Sequence, residues 1–199
     1  MFTIESAGVK DQKDLYDVCL KTGNSGNDAT GLHVSEEMLG DVYVGPYLEF
    51  ASETSFALKD DMGIGIGYAL SVLDTNLFEA ITRERWWPDI QEKYGQYQER
   101  RSECWLIEEI YNPSPSPQHL LARYPSHGHI DLLAHAQGKG FGRLMMSKME
   151  SCLAELGSKG FHLRVSAQNA RALAFYKALG YSIIDEEPSV ITVGKRFHQ

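Results

Sequence analysis

The sequence predicts a mixed α/β (α+β) domain, and three observations carry that expectation. An apolar run from Ile130 to Ala134 is followed by alternating glycines, Gly138, Gly140 and Gly142, and then by an amphipathic stretch from Arg143 to Leu156. Next, Phe161, Leu163, Val165 and Ala167 alternate with His162, Arg164 and Ser166, the period of a strand. Finally, Asn169 opens a segment with Ala172, Phe175, Tyr176 and Leu179 on one side, closed by Gly180 and followed by Tyr181 to Ile184. That order is strand, glycine turn, helix, strand, helix, strand.

Each element has a local reason. Phe2 to Ser6 reads as a first strand, and Asp11 to Thr22 as a helix with Leu15, Val18 and Cys19 on its apolar side. Ser55 to Lys59 and Ile64 to Leu73 form a hairpin around Asp60-Asp61-Met62-Gly63. The 22–50 stretch is expected to be a loop. Residues 74–126 are an insertion, helical and rich in aromatics (Phe78, Trp86, Trp87, Tyr94, Tyr97, Trp105), with a proline turn at Pro113-Ser-Pro-Ser-Pro117. The helix after the glycines is expected to bury Met145, Met149, Cys152 and Leu156, at i, i+4, i+7 and i+11, and to stop at Gly157-Ser158-Lys159-Gly160. Asn169 is the N-cap of the last helix.

Glycines at the start of a helix let the backbone approach a ligand closely, and their N–H groups form a nest for an anion such as a phosphate. Two familiar phosphate loops do not fit. A Walker loop needs a Gly-Lys-Ser/Thr that is absent, and a dinucleotide fingerprint needs glycine where Arg143 stands. The spacing Gln137-Gly138-Lys139-Gly140-Phe141-Gly142 is Gln-x-x-Gly-x-Gly, which resembles the acetyl-CoA pyrophosphate loop of the GNAT superfamily of N-acetyltransferases. Asn169 to Tyr176, followed by Leu179-Gly180-Tyr181, resembles the second signature of that superfamily, and the likeness runs over residues 128 to 184. A narrower likeness, to the acetyltransferase-like C-terminal domain of animal O-GlcNAcases, rests on four stretches. They are Gly40 to Leu48, Gly67 to Leu70, Trp87-Pro88-x-x-Gln91-Glu92-Lys93-Tyr94, and His129-Ile130-Asp131. It suggests a stand-alone bacterial-type relative that keeps the glycine loop the animal domain lacks.

The resemblance implies a GNAT fold over residues 1–199 as one domain: a central mixed, mostly antiparallel twisted sheet of six to seven strands, with a parallel splayed central pair and flanking helices. It implies acetyl-CoA as cosubstrate, cradled by the backbone of Gln137, Gly138, Lys139, Gly140, Phe141, Gly142 and Arg143, with Lys139 and Arg143 adding positive charge. The strand Ile130 to Leu133, Ile130, Leu132 and Leu133 included, would pair with pantetheine as an added strand. The Leu132 N–H would then face the thioester oxygen. Asn169 would contact the cosubstrate as well as cap its helix. Tyr176 would be the general acid: a phenol of pKa about 10 is protonated at neutral pH and can donate to a thiolate of pKa about 8.5.

The base is read from position. His127, His129 and Asp131 alternate, so their side chains share one side of a strand just before the thioester-binding stretch. His129 and Asp131 are the candidates, with Glu108 and Glu109 on the insertion as further ones. Solvated strand-entry histidines and a structural aspartate are the alternative reading. Two histidines and an aspartate at period two could suggest a metal site, but no Cys or further His stands at ligand spacing, so no metal is expected. The insertion is either a satellite hydrophobic cluster, an interface, or a wall over the acceptor pocket.

Nineteen Lys plus Arg against 27 Asp plus Glu give a net charge of −8, which argues against nucleic acid and anionic membranes as partners. Three cysteines, no signal peptide and no apolar run of about 20 residues make a cytoplasmic protein the expectation. The function expected is an acetyl-CoA-dependent N-acetyltransferase acting on an unidentified primary amine by direct attack in a ternary complex, as a monomer or homodimer. The alternative is a catalytically weak or inactive acyl-CoA-binding regulatory domain.

Overall fold

In the computed structural model, residues 2–101 and 104–197 are described. A seven-stranded sheet runs through them: β1 (Thr3–Ser6), β2 (Phe56–Lys59), β3 (Gly65–Val72), β4 (Ser126–Leu132), β5 (Gly160–Ser166), β6 (Ser182–Glu186) and β7 (Val190–Arg196), in spatial order β1-β2-β3-β4-β5-β7-β6. All neighbours are antiparallel except β4 and β5, which are parallel at Ser126↔Phe161 and His127↔His162. The mixed, mostly antiparallel sheet with a central parallel pair is therefore present.

Two apolar clusters cover the sheet, and strand alternation sorts side chains between them. Tyr68, Leu70 and Val72 of β3 join the first, with α1 (Gln12–Thr22), α2 (Met38–Tyr43) and α3 (Gly45–Phe50). Ala69 of β3 and Phe161, Leu163 and Val165 of β5 join the second, with α8 (Phe141–Glu155) and α9 (Ala170–Ala178). The 22–50 stretch is thus not a simple loop, because α2 and α3 build part of the first core. Residues 74–126 form α4 (Thr75–Arg85), α5 (Trp87–Lys93), α6 (Trp105–Tyr111) and α7 (Gln118–Leu121). Ile90, Tyr94, Leu106, Ile107 and Ile110 from this segment are buried in the first core, so it is continuous with that core rather than a satellite.

Several boundaries differ from expectation. β4 begins at Ser126 and ends at Leu132; Leu133 continues the ladder through its N–H to Ile66 O (2.9 Å), and residues 134–136 turn as a 3₁₀ helix. On α8 the buried residues are Met145, Met146, Met149 and Leu153; Cys152 is half-buried and Leu156 is 46% exposed. The helix starts two residues early, and its buried stripe follows i, i+1, i+4 and i+8, one residue off the expected one. Strand β7, which the alternation did not single out, carries the longest pairing of β5.

Candidate active site

The site begins where β4 and β5 part. Their pairing covers two rungs, after which β4 is hydrogen-bonded to β3 alone, as far as Leu132↔Gly67. Because the Leu133 N–H bonds Ile66 on the β3 side, backbone alternation sends the Ile130 and Leu132 N–H groups to the other edge, into the gap. The Leu132 carbonyl faces the same way and is held by Gln137 Nε2 at 2.6 Å. Gln137 therefore anchors the glycine loop to the end of β4.

At one end of the gap lies that loop. Gly138 (φ 73°) and Gly140 (φ 84°) are left-handed, which only glycine adopts without strain. Gly140 caps α8, and no side chain caps that helix, so the N–H groups of Phe141, Gly142 and Arg143 have no intrahelical partner. A Cβ on Gly142 would lie 3.1 Å from Phe175 Cζ, so close packing on α9 explains this glycine. Lys139 sits over the Phe2 ring (5.9 Å), and Arg143 is exposed. These residues are on the surface and do not line the cavity described next. They fit an anion: free donors, left-handed glycines and nearby cations converge there.

At the other end is a cavity of about 1670 Å³. His127, His129 and Asp131 of β4 and His162, Arg164 and Ser166 of β5 present side chains to it, with Tyr176 of α9. His129, Asp131 and Tyr176 are thus all among the residues that line one cavity. Tyr68, opposite Asp131 in register, donates its hydroxyl to Asp131 Oδ2 at 2.7 Å. Burial raises the Asp131 carboxyl to about 6, against the lowering effect of hydrogen bonds from Tyr68 and Thr22. His129 stands edge-on to the rings of Tyr43 (5.4 Å) and Tyr47 (5.3 Å), and burial, with His162 nearby, lowers it to about 4. It is a neutral imidazole at pH 7, not the group of pKa near 6.5 expected from its type. Burial and the charge of Asp131 push the Tyr176 phenol well above its ordinary range.

His127 is committed elsewhere. Thr75 Oγ1 donates to the Pro125 carbonyl (2.6 Å), so at 2.8 Å it accepts from His127, which carries its proton on Nδ1. Glu109 lines the cavity, but both of its oxygens are used: Oε1 accepts from the Ser114 N–H and Oε2 from the Ser114 hydroxyl, each at 2.9 Å. Glu79 likewise accepts from the Ser116 N–H at 2.8 Å. These two carboxylates staple the proline turn along the cavity. Glu108 bonds Asn112 (2.7 Å) and does not line the cavity, which removes it as a base candidate. Among the described residues, no group of three or more His, Cys, Asp or Glu is placed to hold a metal ion.

The sequence reading missed Tyr68, Thr22 and Arg164. Tyr68 was legible only through register, since nothing local ties it to a residue 63 positions away. Arg164 shares the face of His162 by strand period, and only the cavity distinguishes it from the other polar residues of β5. Residues after α1 also reach the site: Ser25 Oγ donates to Ser166 Oγ (3.3 Å), and Gly26 lies against Asn169. Asn169 caps α9 by accepting from the Ala172 N–H at 3.0 Å.

Residues 122–190 match the family described as FR47-like protein. Among solved structures, the chain is similar to SsHAT, with a TM-score of 0.87, 28% identity and 98% of each chain covered. It shares the fold of a GCN5-related N-acetyltransferase from Kribbella flavida (TM-score 0.59, 14% identity, 98% of each chain). The same holds for PaiA N-acetyltransferase from Thermoplasma acidophilum, solved in complex with coenzyme A (TM-score 0.57, 12% identity, 99% of each chain).

Proposed function

We propose, from its likeness to the FR47-like family and to SsHAT and from its GNAT fold, that the chain is an acetyl-CoA-dependent N-acetyltransferase acting on a primary amine within a ternary complex. The observation that carries this reading is the splayed gap between β4 and β5. It joins a cradle of free N–H groups at 141–143 to a cavity that holds Asp131, His129 and Tyr176. Acetyl-CoA supplies an acyl group activated as a thioester, its pyrophosphate on the loop and its pantetheine along β4. The N–H groups of Ile130 and Leu132 bind that arm as a strand edge would. The Leu132 N–H donates to the acyl oxygen as it gains negative charge.

Asp131 receives the proton of the attacking amine, directly or through water. Its raised pKa makes it a better base than an ordinary carboxylate, whereas His129, neutral and weakly basic, orients the amine. The new C–N bond forms as the C–S bond breaks, and Tyr176 gives its hydroxyl proton to the departing sulfur. The proton held by Asp131 then restores Tyr176, leaving amide and free thiol.

The test is a panel of amines assayed for acetyl-CoA-dependent thiol release, wild type beside Tyr176→Phe. General acid–base groups contribute about 100- to 10,000-fold, and kcat should fall by that order while calorimetric acetyl-CoA affinity is kept. Wild-type turnover in Tyr176→Phe would return that residue to a packing role. Acetyl-CoA binding with no amine turned over would favour the acyl-CoA-binding domain instead.

A further inference from the structure

The charged side chains that line the cavity are Glu79, Arg83, Glu109, Asp131 and Arg164. Their commitments are unequal. Glu79 and Glu109 are tied to the backbone and hydroxyl of the proline turn, and Asp131 is bonded by Tyr68. Arg83 is exposed on α4. Arg164 remains, on the cavity wall. Among the described residues its hydrogen-bond partner is Glu187, which takes Nη2 at 3.1 Å from a half-exposed position where water weakens the pair. Among the described residues, its Nε is the one buried side-chain nitrogen or oxygen without a hydrogen-bond partner. A guanidinium left in this state is a donor fork short of acceptors, and its geometry suits a carboxylate or a phosphate.

Resting on the acetyltransferase reading of the cavity, we propose that the acceptor is a small primary amine that also carries an anionic group, carboxylate or phosphate, which Arg164 holds. The register gives the scale. His127 is level with His162 on the last paired rung, so His129 and Arg164 are each two residues beyond it, level with one another. Asp131 lies one further pair along, about 7 Å at strand rise. Arg164, His129 and Asp131 line the same cavity, so one small acceptor would meet an anion site and an amine site together. The neutral donors of the proline turn that occupy Glu79 and Glu109 partly offset the repulsion these two carboxylates exert on such an acceptor. Glu187 competes for the guanidinium until the anion arrives.

Matched pairs of amines test this: phenylalanine against phenethylamine, and O-phosphoethanolamine against ethanolamine, each with acetyl-CoA and the full chain. A hydrogen-bonded ionic contact of about 1.5 to 3 kcal/mol corresponds to roughly 10- to 100-fold, so the anionic member of at least one pair should lead in kcat/KM by that factor. Which pair responds identifies the anion. Arg164→Leu should erase the preference by raising KM for the anionic amine, with acetyl-CoA affinity unchanged by calorimetry. Glu187→Gln, a surface change, should lower that KM by freeing the guanidinium. Equal use of both members in both pairs, a preference that survives Arg164→Leu, or an unchanged KM in Glu187→Gln overturns the inference. So does acetylation of none of the four while acetyl-CoA still binds, a result that leaves the donor site standing. Loss of acetyl-CoA binding in wild type would instead overturn the acetyltransferase reading itself.

Discussion

A carboxylate that serves as a base must be ionised, and the burial of Asp131 opposes ionisation. Its folded pKa of about 6 lies above the ordinary 3.8, so the folded protein holds this proton more tightly than the unfolded chain. The sign follows: between about 4 and 6, rising pH removes the proton from the unfolded state first and stability falls. Above 6 the full penalty persists, about 2 to 3 kcal/mol for a shift of this size. Asp131→Asn should therefore be more stable than wild type at pH 8 by that order, with the difference shrinking through pH 6 and gone below about 4. The same variant should be nearly inactive. In wild type, kcat/KM should decline as pH drops through about 6, the Asp131 limb, and His129, pushed down to about 4, adds none there. Tyr68→Phe removes the 2.7 Å hydrogen bond that favours the anion and should move the limb upward. Thermal melts at both pH values beside a pH–rate profile decide this. An Asp131→Asn protein no more stable than wild type at pH 8, or a limb unmoved in Tyr68→Phe, would remove Asp131 from the role of base.

At the scale of elements, the turn from β4 into α8 shows which features a sequence makes visible. Gln137, Gly138, Gly140 and Gly142 are local signals, and the structure gives each a separate local job: a strand-end cap, two left-handed turns and one close contact with Phe175. Asn169 is equally local, since its cap on Ala172 lies three residues away. The chemistry of the opposite wall is not local. The Tyr68–Asp131 bond and the Glu79–Ser116 staple depend on register and on how the inserted helices settle, so no window of sequence contains them. On α8 the buried stripe takes Met146 and Leu153 instead of Cys152 and Leu156, because which of several apolar positions faces inward is decided by the strands the helix packs on. Gly140→Val tests the element directly. The added Cβ meets nothing within 4 Å, so the effect must come from φ 84° and from obstruction of the N–H nest. Strain of about 1 to 2 kcal/mol would leave the protein folded, while acetyl-CoA affinity should fall at least tenfold by calorimetry. An unchanged affinity in a folded variant would mean that the pyrophosphate binds elsewhere.

Across the whole molecule, one buried carboxylate joins the inserted helices to the sheet-facing core. Asp41 of α2 accepts from Tyr16 of α1 at 2.9 Å, from Tyr94 after α5 at 2.6 Å and from Lys93 of α5 at 2.6 Å. Its backbone carbonyl accepts from Trp86 Nε1 at 2.9 Å. Gly40 and Gly45 complete the joint: a Cβ on Gly40 would lie 2.3 Å from the Tyr16 ring, and one on Gly45 would lie 2.4 Å from Trp86. This gives a physical content to the stretches Gly40 to Leu48 and Trp87 to Tyr94 that carried the narrower family likeness. They are two sides of one packing joint, and neither was legible as such because their partners lie about fifty positions apart. The joint matters to the site because α4 and α6, which carry Glu79 and Glu109, belong to the same segment as α5. Asp41→Ala leaves two buried tyrosine hydroxyls without their acceptor, while Lys93 keeps Glu37 at 2.8 Å. A loss of about 3 to 5 kcal/mol is expected, which in a chain of this size lowers Tm by roughly 6 to 20 °C. Asp41→Asn keeps an acceptor oxygen and should lose less. Because the glycine loop proposed for acetyl-CoA leads into α8, which packs in the second core, acetyl-CoA affinity at 20 °C should stay within about twofold of wild type, whereas KM for the amine should rise as the cavity wall loosens. Equal weakening of both substrates would show that the joint supports the molecule at large rather than the acceptor wall.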